Sequence, residues 1–151
     1  MNNIFTIPND KLDMHECPLV VIKCVDFRFR KSDQEFVERC LGFDNFDLFA
    51  WPGAAKDVLK NNGFKKSFIE YVISVSIGLH KVKKLLLLWH WDCGAYGGSK
   101  AFSSAEEEKA AYLKDIATVK DMLSKELPDD LEIITAFSKS GPQGLEYSII
   151  E

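Results

Sequence analysis

The stretch LLLLWHWDCGAYGG, residues 85–98, decides the fold class of this 151-residue chain. It begins with an unbroken apolar run that ends in His90, and a run of this length predicts a strand with both faces buried. Cys93 and several glycines follow within a few residues. Because strands buried on both faces are typical of parallel sheets, the stretch predicts an interior parallel strand whose end carries two potential metal ligands.

Four more strands are predicted from short apolar segments bounded by turn residues or by helices. They are residues 18–24, 46–51, 131–137 and 145–150. Three helices are predicted between them: residues 32–42, 64–79 and 104–127. The first and third helices have serine and glutamate at capping-box spacing, and the second repeats apolar residues every three or four positions.

The alternation of strands and helices predicts an α/β fold in one domain, residues 1–151. We expect a central, mainly parallel sheet flanked by helices. Four strands should be parallel, and the C-terminal strand should lie antiparallel at one edge.

The composition narrows the possible partners and location. The net charge of −4 argues against general binding to nucleic acid, which requires a concentrated basic surface. The longest aliphatic run is far shorter than the roughly 20 residues that a bilayer-spanning helix requires, so no membrane association is expected. Residues 1–18 lack a basic start and a continuous apolar segment, so we expect no secretory signal and a cytoplasmic location. In that reducing compartment the four cysteines are expected to be thiols or metal ligands.

Three potential ligands are predicted to meet at one edge of the sheet. Cys24 ends the first strand, and His90 and Cys93 end the third. If these strands are neighbours across a switch point, their carboxyl ends lie together. Two thiolates and one imidazole suit Zn²⁺, and three protein ligands leave a fourth position open, as in catalytic zinc sites. The predicted chemistry is hydration or hydrolysis of a small electrophile by zinc-bound hydroxide.

Asp26 and Arg28 alternate with Cys24 along the chain. In an extended loop their three side chains would point to one side. The guanidinium would keep Asp26 ionised, and the carboxylate could accept a hydrogen bond from the zinc-bound hydroxide. The alternative is an ordinary surface ion pair.

Two motifs resemble the signatures of the β-class carbonic anhydrases. CVDFR, residues 24–28, resembles Cys-x-Asp-x-Arg, and HWDCGA, residues 90–95, resembles His-x-x-Cys-Gly. The segment between them also resembles that family's helix followed by an apolar strand, and the likeness extends over residues 18–139. The two motifs are specific when they occur together.

The resemblance implies a zinc enzyme that reversibly hydrates CO₂ to bicarbonate, assembled as a homodimer or a larger homo-oligomer. The residues with implied roles are Cys24, His90 and Cys93 as zinc ligands, Asp26 and Arg28 as the catalytic pair, and Gly94 as a substrate-binding residue. In some family members the aspartate itself occupies the fourth zinc position. Water and Asp26 therefore both stay open as the fourth ligand.

The chain departs from the family at the predicted substrate pocket. Phe27 replaces a residue that is usually small, and AWPGAA, residues 50–55, replaces an arginine-asparagine-alanine-glycine turn. Three tryptophans are also expected nearby: Trp51, Trp89 and Trp91. These departures predict an unusually aromatic pocket, with the alternative that some of these side chains are core or interface residues.

Three alternative functions stay open. A related zinc hydrolase could act on carbonyl sulfide or carbon disulfide. A zinc-stabilised homologue could keep the metal and have no activity. In a third hypothesis Cys93 is a nucleophile, His90 is its base, and residues 93–99 form a glycine-rich anion loop.

Other potential ligands are interpreted as structural. His15 and Cys17 have ligand-like spacing but no evident partner pair, so a second metal site is not expected. Cys40 is predicted on the apolar face of its helix and therefore in the protein core, and His80 is predicted as a helix cap or a solvated residue. The acidic run at residues 106–108 is interpreted as complementing the helix dipole, with no functional role.

Overall fold

The structure, a computed structural model, describes residues 6–60 and 63–151. At its centre is a five-stranded sheet. The strands are β1 (Leu19–Lys23), β2 (Phe46–Ala50), β3 (Lys84–His90), β4 (Glu132–Gly141) and β5 (Gly144–Ile150). Their spatial order is β2-β1-β3-β4-β5. The first four are parallel and β5 is antiparallel to β4, which confirms the predicted α/β fold.

The interior strand β3 is buried along almost its whole length. Leu85 and Leu87 belong to the larger of two core clusters, and Leu86 and Leu88 belong to the smaller one. Successive side chains of a strand point to opposite faces, and both faces of this sheet are covered. The aliphatic run therefore follows from the central position of the strand.

Three helices cover the sheet: α1 (Arg30–Glu35), α2 (Gly63–Tyr71) and α3 (Ala105–Glu126). Apolar side chains of α2 and α3 are buried in the larger core cluster, and those just after α1 are buried in the smaller one. The helices therefore lie on both faces of the sheet, as expected for a mainly parallel sheet. Across the described ranges, none of the helices combines the length and apolar character that crossing a membrane requires.

Two helices continue in wider turns, over Phe36–Cys40 and Val72–Leu79. At the end of each segment a backbone N–H donates to the carbonyl five residues earlier. Leu41 donates to Phe36, and His80 donates to Val75. The wider turn changes which side chains face the core. Cys40 is consequently exposed, and its predicted core position is wrong.

One of the two predicted capping boxes forms in part: Ser104 caps its helix, but the Glu107 carboxylate accepts the N–H of Ser103 rather than that of Ser104. Ser104 precedes α3, and its hydroxyl oxygen accepts a hydrogen bond from the Glu107 N–H at 3.1 Å. The cap predicted at Ser32 is wrong, because the helix already begins at Arg30 and the Ser32 hydroxyl donates to the Phe29 carbonyl. The expected absence of a secretory signal concerns in part residues 1–5, which lie outside the described residues.

Candidate metal centre

Cys24, His90 and Cys93 meet at the carboxyl edge of the sheet. Cys24 directly follows β1, His90 is the last residue of β3, and these two strands are parallel neighbours. Their ligand atoms all lie within 4.8 Å of one another, and the two sulfur atoms are 3.8 Å apart. All three side chains are buried. The structure thus brings together the three residues that the sequence predicted as ligands.

The His90 ring is oriented by one hydrogen bond. Its Nδ1 lies 2.8 Å from the Trp91 carbonyl oxygen. Because a carbonyl only accepts, Nδ1 carries the proton and Nε2 keeps a free lone pair. Nε2 is buried and has no hydrogen-bond partner among the described residues. A buried, unpaired acceptor beside two thiols fits the donor set that Zn²⁺ prefers.

The two thiols differ in acidity. The hydrogen bond with Cys93 lowers the pKa of Cys24, and contacts with His90 and with the Gly53 N–H, 3.4 Å from the sulfur, lower it further. The hydrogen bond with Cys24 and burial raise the pKa of Cys93. A buried thiol with a raised pKa is a poor nucleophile, which argues against Cys93 as the attacking group. A bound cation would favour ionisation of both thiols.

Asp26 and Arg28 form a close pair, but not in an extended loop. Phe27–Phe29 forms a short 3₁₀ turn, and Asp26 caps it by accepting the Arg28 N–H at 3.0 Å. The Arg28 side chain donates to both carboxylate oxygens, with the shortest distance 2.7 Å from Nη2 to Oδ2. These bonds lower the pKa of Asp26. The predicted pairing is present, and it forms because the turn folds the arginine back onto the carboxylate.

Arg28 also reaches the second motif, through a residue that the sequence analysis missed. Its Nη1 donates to Asp92 Oδ2 at 2.9 Å, and its Nη2 donates to the Asp92 carbonyl at 3.0 Å. The Asp92 carboxylate in turn accepts a hydrogen bond from the Ser99 N–H. This bond and the one from Arg28 lower the pKa of Asp92. Arg28 therefore joins the two loops that carry the ligands. The position of Asp92 between His90 and Cys93 is the signal that could have identified it.

Two side chains of α3 hold the backbone of the ligand loop. Glu108 Oε1 accepts the Asp92 N–H at 3.0 Å, and the Tyr112 hydroxyl accepts the Cys93 N–H at 3.0 Å. Tyr112 is four positions after Glu108, so both lie on one face of the helix. Glu108 is almost completely buried. The acidic run was expected only to complement the helix dipole. That expectation is wrong for Glu108, which binds the backbone of the ligand loop.

An open cleft of about 400 Å³ lies beside the cluster and is bordered by one of the three potential ligands, Cys24. It is lined by Cys24, Val25, Asp26, Phe27, Arg28, Pro52, Gly94 and Ala95. Gly94, the predicted substrate-binding residue, is thus at the cleft. Asp26 Oδ2 is 3.9 Å from His90 Nε2, so the carboxylate is close to the ligand atoms.

The cleft is not the aromatic pocket of the first interpretation. Phe27 is the one aromatic residue among the described residues that line it, and the three tryptophans lie elsewhere, in line with the alternative. Trp51 packs against Phe64 with ring centroids 4.6 Å apart. Trp89 is buried in the core, and Trp91 packs against Phe137. Of the three tryptophans, Trp89 alone is a core residue, and Trp51 stays 37% exposed.

Gly53 is the residue of the altered turn that matters most for the site. Its φ is +76°, and a Cβ built there would lie 2.9 Å from the Ala95 Cβ. A residue with a side chain would be strained at this φ and would collide with the loop after Cys93. The AWPGAA turn therefore lets the Gly53 N–H approach the Cys24 sulfur.

Comparisons with known proteins agree with this geometry. Residues 14–138 match a family described as "Putative carbonic anhydrase". The chain belongs to this family, and the predicted resemblance to the β-class carbonic anhydrases is confirmed. A solved carbonic anhydrase from Streptococcus mutans shares the fold, with a TM-score of 0.55 and 14% identity, over 93% of this chain and 87% of that one.

Two curated relatives are uncharacterized proteins of Rickettsia. The protein of Rickettsia conorii is 28% identical over 119 residues, and that of Rickettsia bellii is 27% identical over 120 residues. Each alignment includes 76% of this chain. The chain spans 64% of the length of the first relative and 73% of the second.

Proposed function

We propose that the protein is a zinc enzyme that reversibly hydrates CO₂ to bicarbonate. The observation that carries this proposal is the buried set of Cys24, His90 and Cys93, in which His90 Nε2 has no hydrogen-bond partner among the residues described. Membership in the carbonic anhydrase family supports it. The two thiols and Nε2 would hold the ion, a donor set suited to Zn²⁺.

When bound, Zn²⁺ would lower the pKa of a water molecule and so supply a nucleophile at neutral pH. The chain contributes orientation. The Trp91 carbonyl holds the His90 ring with Nε2 directed to the ligand cluster, and the Gly53 N–H stabilises negative charge on the Cys24 sulfur. Ligand orientation by such surrounding hydrogen bonds tunes metal affinity and activity.

Asp26 is the proposed proton acceptor and positioning group for the attacking water. Arg28 keeps the carboxylate ionised, and Asp92 keeps the guanidinium in place. An ionised carboxylate beside the cleft can accept a hydrogen bond from water and orient its lone pair towards the substrate. At 3.9 Å from His90 Nε2, Asp26 could instead ligate the ion. The Arg28 bonds to both carboxylate oxygens favour the first role.

The lining of the cleft suits a small uncharged substrate. Val25, Phe27, Pro52 and Ala95 contribute apolar surface around the polar pair. We propose that Gly94 contacts the substrate, because it lines the cleft directly after the ligand Cys93. Such a cleft would accept CO₂ and equally the linear molecules carbonyl sulfide and carbon disulfide.

The decisive experiment measures zinc content and CO₂ hydration on the same purified samples. We expect zinc-dependent hydration that disappears in Cys24→Ser. Asp26→Asn should keep its zinc and lose about 100-fold or more in rate, the usual contribution of a positioned acid or base. Asp121→Asn, an exposed carboxylate on α3, is the control and should retain full activity.

Other outcomes would separate the alternative functions. Hydrolysis of carbonyl sulfide or carbon disulfide without CO₂ hydration would identify a related hydrolase. Bound zinc with no turnover, together with unfolding after chelation, would identify a zinc-stabilised homologue without activity. A protein that binds no zinc would contradict the proposal.

We also propose that the protein acts as a homodimer or a larger homo-oligomer. Apolar side chains are exposed close to the site: Val25 at 53% and Phe27 at 86%. Leu48, on the edge strand β2, is 54% exposed. Exposed apolar groups of this kind are typical of surfaces that bind another protein chain.

A further inference from the structure

A second set of potential metal ligands lies at the opposite edge of the sheet. Cys17 precedes β1, Asp47 is the second residue of β2, and His80 precedes β3. These are the amino ends of three parallel strands, whereas the first centre lies at their carboxyl ends. The five residues of β1 separate the two sets by about 16 Å at the usual rise of a strand.

The three side chains are close enough to share one ion. Their ligand atoms all lie within 4.8 Å of one another. His80 Nδ1 lies 2.8 Å and 3.0 Å from the two carboxylate oxygens of Asp47, and the Cys17 N–H donates to the His80 carbonyl at 3.0 Å. All three residues are partly buried. The prediction that Cys17 lacks a partner pair is wrong. His80 caps the end of the Val72–Leu79 segment, as predicted, and its ring additionally pairs with Asp47.

The surroundings carry negative charge. The three residues border an open cavity of about 400 Å³. Its titratable lining groups include the carboxylates of Glu16, Glu38, Asp44 and Asp47, the two imidazoles of His15 and His80, and the amine of Lys11. Lys11 is itself engaged by Asp44, at 3.4 Å. A concave surface with this excess of carboxylates attracts cations.

We propose that Cys17, Asp47 and His80 form a second site, which binds a divalent ion of the zinc class. Thiolate, imidazole and carboxylate are each established zinc ligands, and together they favour Zn²⁺ over the hard cations Ca²⁺ and Mg²⁺. On binding, the Cys17 thiol releases its proton to solvent. By exchange with solvent the neutral His80 ring changes tautomer, with the proton on Nε2 instead of Nδ1, so that Nδ1 can donate its lone pair to the ion. His15 borders the same cavity and is available as a further ligand.

A cysteine nucleophile with a histidine and an aspartate is the competing interpretation of these residues. It fits poorly, because burial and the Asp47 charge raise the pKa of Cys17. A nucleophilic cysteine needs a lowered pKa. Coordination reverses this disadvantage, since a cation stabilises the thiolate and the carboxylate together. The bound ion would join the chain before β1, the edge strand β2 and the turn before β3.

The test counts metal ions in variants of the full chain. Each protein is stripped with a chelator, dialysed against excess Zn²⁺ and analysed for zinc per chain. We expect two ions in the wild type, and one in Cys17→Ser and in His80→Gln. Cys40→Ser removes an exposed cysteine that belongs to neither set, and it should keep two ions. Circular dichroism establishes that each variant is folded.

A second measurement isolates the new site. In Cys24→Ser/Cys93→Ser, Co²⁺ should still produce a thiolate-to-metal charge-transfer band, and adding Cys17→Ser should abolish it. If the first pair of substitutions prevents folding, the zinc counts of Cys17→Ser and His80→Gln decide the question. A zinc count that is unchanged in both Cys17→Ser and His80→Gln, whether the wild type binds one ion or two, would overturn the proposal. The count is independent of CO₂ hydration, so failure of either proposal is distinguishable from failure of the other.

Discussion

At the level of single residues, the ligand loop depends on hydrogen bonds to its backbone. The Cys93 N–H is buried, and the Tyr112 hydroxyl is the group that accepts its bond. A buried N–H without an acceptor costs the free energy of its desolvation. Tyr112 therefore supports the candidate metal centre through the backbone of Cys93.

We expect Tyr112→Phe to lower the free energy of unfolding by about 1–3 kcal/mol, because the Cys93 N–H would lose its acceptor. Urea unfolding with saturating zinc measures this change. Tyr96→Phe is a matched control. It removes a buried hydroxyl that has no hydrogen-bond partner within the described part of the chain, so stability should stay the same or rise. Equal losses in both variants would contradict the role of Tyr112.

At the level of secondary-structure elements, a buried ion pair connects β1, α1 and β5. Lys23 Nζ lies 2.5 Å from Asp33 Oδ2, and the Tyr147 hydroxyl donates to Asp33 Oδ1 at 2.8 Å. Both charged side chains are less than 10% exposed, at 8% and 6%. Because both charges have lost most of their water, each depends on the other for compensation.

Lys23→Met should lower the free energy of unfolding by about 3–5 kcal/mol, because it leaves the Asp33 charge buried and unpaired. Adding Asp33→Asn should restore most of the loss, since the amide oxygen can still accept from Tyr147. Thermal or urea unfolding measures both variants. Lys83→Met is the control: its pair with Asp130 is exposed, and its loss should cost about 0–1 kcal/mol. A double variant as unstable as Lys23→Met would show that the pair is not the cause.

At the level of the whole molecule, the proposed assembly rests on the apolar surface beside the cleft. Light scattering coupled to gel filtration should give the mass of a dimer or of a larger oligomer. Phe27→Asp should shift the protein towards the monomer, because a carboxylate would have to be desolvated in the contact. Leu79→Asp, another exposed apolar position at 64%, is the control and should leave the mass unchanged. A wild-type monomer at all concentrations would contradict the proposal.

Local patterns were sufficient to predict the sheet and its main cluster. The run ending in His90 identified the interior strand, and Cys24 and Cys93 followed from their places at strand ends. Boundaries and helix faces were less predictable. Cys40 was placed in the core because an ordinary helical period was assumed, and the wider turn changes its orientation.

The sequence by itself determined the α/β class, the buried strand β3 and the three residues of the first centre, because each depends on periodicity or on the end of a strand. Only the tertiary structure decided which distant groups meet. Asp92 contacts Arg28 because of the order of β1 and β3, and Tyr112 reaches Cys93 because α3 packs on that face. Cys17 likewise meets Asp47 and His80 through the register of parallel strands, which local spacing in a sequence does not specify.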